Sequence, residues 1–214
     1  MKLTERLFSF ILKKVFGTQK IQYEGKTIDF TPPWPRVEYE ELFRKYAKID
    51  IVSQNKSALL KKAKELGLEA DETFSKGRLE DVIYKKMIRP NLWNPQFVIH
   101  HPMEMMPLAK ARAEDPAKAE TFQLLVGGGW EIVKAYTEQN DPIAQKKAFE
   151  EQEGLFRQGL QDAQRMDEDF VEALEYGMPP TTGFGMGIDR LTALLTNSHS
   201  LREVILFPTM KPKE

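Results

Sequence analysis

The sequence predicts an α+β fold, an antiparallel sheet flanked by helices, and three observations carry that expectation. Glu120 to Val126 and Trp130 to Gln139 read as strands on either side of Gly127-Gly128-Gly129, the pattern of an antiparallel hairpin. In Gly183-Phe184-Gly185-Met186-Gly187 small and large residues alternate, so one side of an extended segment carries no side chain. Apolar residues recur at helical spacing elsewhere, at Leu3, Leu7, Ile11 and Val15 near the start and at Leu191, Leu194 and Leu195 directly after the glycines.

Taken in order, the first helical stripe is joined by Phe8 and Leu12 and stops at Gly17, a C-cap residue. KIQYEGKTIDF alternates on both sides of Glu24-Gly25 and predicts a β-hairpin. Pro32, Pro33 and Pro35 punctuate the chain, because proline continues neither helix nor strand, and Trp34 among them is read as a packing anchor. Short helices follow at Tyr39 to Tyr46, Lys56 to Leu66 and Arg78 to Ile88, so residues 37–90 are expected to form a helical insertion within one domain spanning 1–214. Lys56, Lys61, Lys62 and Lys64 are read as a solvated face, with nucleic-acid contact as the alternative. Gln96 to Ile99 reads as a buried strand. Asp141 at the N-cap and Pro142 at N1 open a long helix holding Glu150, Glu151 and Glu153; Asp167 opens another that runs through Tyr176 to Gly177.

With 214 residues, 41% hydrophobic and 29% charged, the chain can bury a sizeable core. A formal net charge of -1 offers no general attraction for nucleic acid, so such contact would be local. No cysteine is present, which excludes disulfides, thiolate zinc sites and cysteine nucleophiles and fits a cytoplasmic location. His100, His101 and His199 are too scattered for a histidine metal site. The first residues read as an amphipathic helix and not as a signal peptide or membrane span.

The chemistry concentrates in two stretches. A glycine-faced strand feeding a helix with Arg190 in its first turn suits a nucleotide, because backbone can approach the ligand and a guanidinium can stack on a base or fork to phosphate. Spacing alone equally admits glycines that serve close helix–strand packing, and neither GxGxxG after a βαβ unit nor a Walker loop is present. Glu131 and Glu138 are carboxylates of the kind that hold Mg²⁺ against phosphates. Seven positions apart on a regular strand they face opposite sides, so they either share an ion across a bulge or are surface glutamates.

EYGMPPTTGFGMGIDRL and TNSHSLREVILFPTMKP together resemble motif 3 and the end of the lysyl-tRNA synthetases, members of the class II aminoacyl-tRNA synthetases. WEIVKAYTEQNDPIAQ is similar to that family's xEIxNxxSELNDPxxQ, and FVIHHPMEMMPLAK to its FIIDHPVEISPLAK, so the resemblance runs from Met1 to the C-terminus. It implies the C-terminal portion of a class II catalytic domain and a lysine–tRNA ligase. Such an enzyme activates lysine with ATP and Mg²⁺ to lysyl-adenylate and transfers it to tRNA(Lys). The roles it implies are Arg190 as catalytic and ATP-binding residue, with Glu131, Gly183, Gly185 and Gly187 also at ATP. Glu104, Tyr136, Glu138 and Gly185 would bind lysine, and Glu131 and Glu138 the metal. The implied partners are ATP, L-lysine, tRNA(Lys), an N-terminal half in the same or a second chain, and a second copy in a homodimer; no membrane is implied. Three positions depart from the family pattern: Lys134 replaces asparagine, His100 aspartate and Met106 serine. Motifs 1 and 2 are not recognisable, and without the motif 2 arginine the chain alone is expected to form adenylate very poorly. The other readings are a non-catalytic synthetase-like binding module, half of a split ligase, and a ligase that modifies a protein lysine.

Overall fold

The computed structural model describes residues 1–157 and 163–209; Met210, Lys211 and Pro212 of the quoted resemblance lie outside them. Helix α1 (Lys2–Phe16) ends at Gly17 in the left-handed conformation, as its sequence predicts. Its buried stripe differs from the expected one: Thr4, Glu5, Phe8 and Leu12 face inward, whereas Leu3 and Val15 are 69% and 64% exposed. The cause is the proline segment. Trp34 packs edge-on against Phe8 at 5.6 Å between ring centroids, and the Glu5 carboxylate accepts the Trp34 backbone N–H at 2.9 Å. A buried acid is tolerated there because it satisfies a donor the prolines leave unpartnered. Strands β1 (Lys20–Tyr23) and β2 (Lys26–Asp29) form the expected hairpin.

A second sheet positions the site. Its strands β3 (Arg36–Glu38), β4 (Gln96–Ile99), β5 (Thr121–Val126), β6 (Trp130–Thr137) and β7 (Thr182–Met186) hydrogen-bond in that order. All neighbours are antiparallel except β3 and β4. Strand β3 stands at Val37, where the sequence predicts helical material. Parallel neighbours need a long crossover, and the helices between Tyr39 and Ile88 lie within it. These are α2 (Tyr39–Leu42), continued by a π-helical turn over Phe43–Ala47, α3 (Lys56–Glu65), and α4 (Lys76–Ile83), continued likewise over Tyr84–Ile88. Asn55 and Ser75 cap α3 and α4 through their side-chain oxygens. Tyr39, Phe43, Leu59, Leu79, Ile83 and Tyr84 form a core that rests on Val98 and Leu125 of the sheet. The opposite face, through Phe97, Leu124, Val126, Ile132 and Val133, covers α1 and the β1–β2 hairpin.

The β5–β6 turn uses three residues at positive φ, Gly127, Gly128 and Gly129 at 63°, 77° and 106°. At Gly129 a Cβ would also lie 2.9 Å from the Arg89 backbone, so only glycine fits. Helix α5 (Pro142–Arg157) is capped by Asp141, whose Oδ1 accepts from the Ile143 N–H at 2.9 Å. Asp167 caps α6 (Glu168–Glu175) through Phe170 N–H. Strand β7 lies at the sheet edge and leads through Gly187 into α7 (Ile188–Leu195), whose Leu191 and Leu194 join the core beneath the sheet.

Candidate functional site

Register decides which side chains meet, because directly opposed residues share a sheet face. Gly183 opposes Tyr136 and Gly185 opposes Lys134 across β7 and β6; Lys134 opposes Gln123 and Glu131 opposes Leu125 across β6 and β5. Between these last two pairs the register slips: Leu124 opposes Val133 and Leu125 opposes Glu131, so Ile132 is one residue too many. This bulge buries Ile132 and Val133 in the same core and turns Glu131 to the face of Lys134 and Tyr136. The alternation that would have separated the two glutamates is thereby broken. Length still separates them. Seven residues of extended strand span roughly 20 Å, and Mg²⁺–oxygen contacts are about 2.1 Å. Glu131 and Glu138 therefore cannot hold one ion between them, which corrects the expected shared site. Among the described residues no group of three or more His, Cys, Asp or Glu side chains is placed to hold a metal.

At the hairpin end, Arg190 is exposed and its Nη1 donates to the Glu131 carbonyl at 2.9 Å. Gly187 N–H donates to the Ile132 carbonyl at 2.9 Å, which fixes the start of α7 against the bulge. A recess of about 230 Å³ is lined by Arg89, Gly128, Gly129, Trp130, Glu131 and Arg190. Arg89 was not singled out from the sequence, where it closes an ordinary amphipathic helix. Its Nε donates to the Gly129 carbonyl at 2.9 Å. Two guanidinium groups thus meet at the turn beside the Glu131 carboxylate, and their N–H donors suit an anion.

The three glycines have three separate roles. The Glu138 carboxylate lies against Gly183, in the space a Cβ would need. At Gly185 a Cβ would meet nothing nearer than the Lys134 carbonyl at 3.7 Å, so the surface there is open. Gly187 is covered by the Arg190 side chain itself. Burial raises the pKa of Glu138 above the usual carboxylate range; burial and then the Glu138 charge raise that of Tyr136.

A larger cavity, about 560 Å³, lies beside this face, and Glu104, Met106, Lys134, Tyr136 and Gln152 are among its lining residues. The Glu104 carboxylate accepts the Gly77 N–H at 3.2 Å in the first turn of α4, and Gln152 donates to the Glu104 carbonyl at 3.0 Å. Glu104 is therefore engaged in positioning α4 as well as lining the cavity. Glu80, the next acid on α4, is buried; burial pushes its pKa up to about 7 against the pull of Lys76. Fully buried His101 contacts Gln123 Oε1 through Nε2 at 3.0 Å, and burial, then the Lys134 charge, lower its pKa to about 3, so it is neutral. Of the departures from the family pattern, Met106 and Lys134 line the cavity. His100 does not; its Nδ1 lies 2.7 Å from Glu38 Oε1 at the far side of the sheet. Gln152 and the α4 residues of the cavity come from helices whose polar faces read locally as solvated, and no local signal marks them.

The family model for class II tRNA synthetases (D, K and N) matches residues 1–211. The chain belongs to this family. It is 45% identical over 217 residues to a lysine–tRNA ligase of Pelotomaculum thermopropionicum, covering 100% of this chain and 43% of the relative. A lysine–tRNA ligase of Thermotoga sp. strain RQ2 is 44% identical over 214 residues, with 42% of its length covered. One of Porphyromonas gingivalis is 43% identical, with 37% of its length covered. The chain thus spans less than half the length of these curated relatives. In this class II synthetase chain the motif 3 residues occupy β7 and the start of α7, with Arg190 beside the bulged end of β6. No helix of the described residues is long and apolar enough to cross a membrane.

Proposed function

We propose that this chain supplies the motif 3 part of a lysine–tRNA ligase site. The observation that supports it is the β6–β7 pair. That pair sets Glu131, Lys134 and Tyr136 on one face, with Glu138 lodged over the bare backbone of Gly183 and Arg190 at the end of the row. ATP lies along Arg190, Arg89 and Glu131, with its base on the Arg190 guanidinium plane. The lysine ammonium is held toward Tyr136 and Glu138, where a cation would offset the desolvation that raises the glutamate's pKa. The lysine carboxylate attacks the α-phosphorus, pyrophosphate leaves, and lysyl-adenylate forms; a tRNA(Lys) hydroxyl then attacks the carbonyl carbon and AMP leaves. No side chain need act as nucleophile, so the residues work by placement and charge. Glu131 is the carboxylate that would hold Mg²⁺, which would neutralise phosphate charge when bound.

ATP–pyrophosphate exchange in the presence of lysine tests this reading. The chain alone is expected to show none, since without the motif 2 arginine several kcal/mol of barrier are left unsupplied, on the order of the cost of removing a preorganised donor. Exchange is expected once a polypeptide carrying the remaining N-terminal length of a relative is added. Exchange by the chain alone refutes the need for a second part. The Lys134 ammonium in the cavity favours a second reading, a binding module without catalysis. ATP binding with no exchange under either condition would establish it and end the ligase reading.

A further inference from the structure

Helix α1 turns outward a face that is both apolar and cationic. Phe10, 67% exposed, stands at its centre, and Leu3, 69% exposed, lies two turns away on the same side. Lys2, Arg6, Lys13 and Lys14 are exposed around them, at helical spacings that share this face. Glu5, the acid of this helix, points the other way and accepts the Trp34 N–H. A groove of about 710 Å³ follows the face, with Lys2, Leu3, Arg6, Phe10 and Pro32 among its lining residues. An exposed apolar strip flanked by charges of one sign fits an apolar strip flanked by the other sign.

The chain carries such a complement itself. Helix α6 buries Val171 and Leu174 and turns Glu168, Asp169, Glu172, Glu175 and Tyr176 outward, with Tyr176 86% exposed. No basic residue lies within α6. Among the described residues none of these cations or acids has an ion-pair partner. The two helices lie on opposite sides of the central sheet. α1 packs on its apolar face; α6 packs through Phe170 on Phe149 of α5, which reaches the other side, where Gln152 donates to the Glu104 carbonyl. The two complements therefore meet only between molecules. Pairing like with like would set cations against cations or acids against acids, which opposes association. We propose that α1 of one copy docks on α6 of a second copy, with Leu3 and Phe10 against Tyr176 and the cations facing the acids. The two contacting patches differ, so the contact is head-to-tail. Copies add in a row, unlike a twofold homodimer, whose two patches are identical. A contact of one helix on one helix belongs to the weak, reversible class below about 1,200 Å². Neither lysine nor ATP takes part, so this contact stands or falls apart from the ligase reading.

Sedimentation velocity of the chain over a rising concentration series tests it. At about 0.01 M ionic strength, where charges act over roughly 30 Å, the average mass is expected to keep climbing with concentration. At about 1 M, where that reach falls to roughly 3 Å, association should weaken about tenfold or more. Arg6→Glu combined with Lys13→Glu should abolish it, and so should Asp169→Lys combined with Glu172→Lys, each pair with the parent thermal midpoint. A chain carrying both pairs should associate again, because the charges have only changed places. A monomer at every concentration in low salt would overturn the proposal. Association that ignores salt, or that survives either reversal, would do the same, as would failure of the doubly reversed chain to associate. A parent chain that stays monomeric but floats with phosphatidylserine vesicles would overturn it too, and would assign the α1 face to a lipid surface.

Discussion

On one face of the central sheet Phe97, Leu124, Val126, Ile132 and Val133 are at most 1% exposed and belong to one apolar core. On the other face the same strands carry Gln123, Lys134, Tyr136 and Glu131, and beside them lie two recesses. Alternation along a strand makes the two sets of residues independent. One face is apolar along its strands, whereas the other is apolar where the helical core rests on Val98 and Leu125 and carries Lys134 and half-buried carboxylates beyond them. The helical crossover between β3 and β4 packs its core on Val98 and Leu125 of this second face, and the larger cavity lies beside Lys134 and Tyr136.

The sharpest way to break this comparison is to hollow the apolar face. Phe97→Ala removes a fully buried ring between Trp34 and Phe122 and should destabilise the fold by about 3–5 kcal/mol in denaturant titration. A loss under about 1 kcal/mol would show that the core lies elsewhere. Backbone comes next. Gly129→Ala forces a Cβ at φ 106° against the Arg89 backbone and should cost about 2 kcal/mol or more. Gly183→Ala collides only with the flexible Glu138 carboxylate. Its cost should stay below about 1 kcal/mol, while the displaced Glu138 weakens lysine binding.

Charge on the polar side sharpens the contrast through pH. Glu80 has its pKa raised from 4.5 to about 7 in the fold, so the folded state holds more protons than the unfolded one across that window. Stability from this group is present below pH 4.5 and is lost as pH rises toward 7. Glu80→Gln should therefore gain about 2 kcal/mol at pH 8 and nothing near pH 4, read from unfolding midpoints at the two values. His101 acts in the opposite sense. Its pKa falls from 6.5 to about 3, so its contribution is present above pH 6.5 and is lost on acidification through that range. The smallest structural effect belongs to Arg190→Ala, expected within about 0.5 kcal/mol of the parent because the side chain is exposed. The same change should abolish detectable ATP binding, measured by fluorescent-nucleotide titration; unchanged binding would remove Arg190 from the site.

Local pattern determined a good deal of this molecule. The helix ends at Gly17 and Gly177, the caps at Asp141 and Asp167, both hairpins and the glycine-faced strand are where residue order alone puts them. Each depends on the conformational habits of a few consecutive residues, which a one-dimensional reading contains. Three features needed the tertiary structure. The bulge at Ile132 arises from how β5 and β6 settle their register, and it alone puts Glu131 on the face of Lys134. Glu5 is buried because a distant Trp34 N–H lacks a partner, and Arg89 reaches the recess at the end of β6 because the glycine turn closes on it from 40 positions away. Periodicity records that a side chain is covered or exposed, but the group it meets is chosen by packing between segments far apart in the chain.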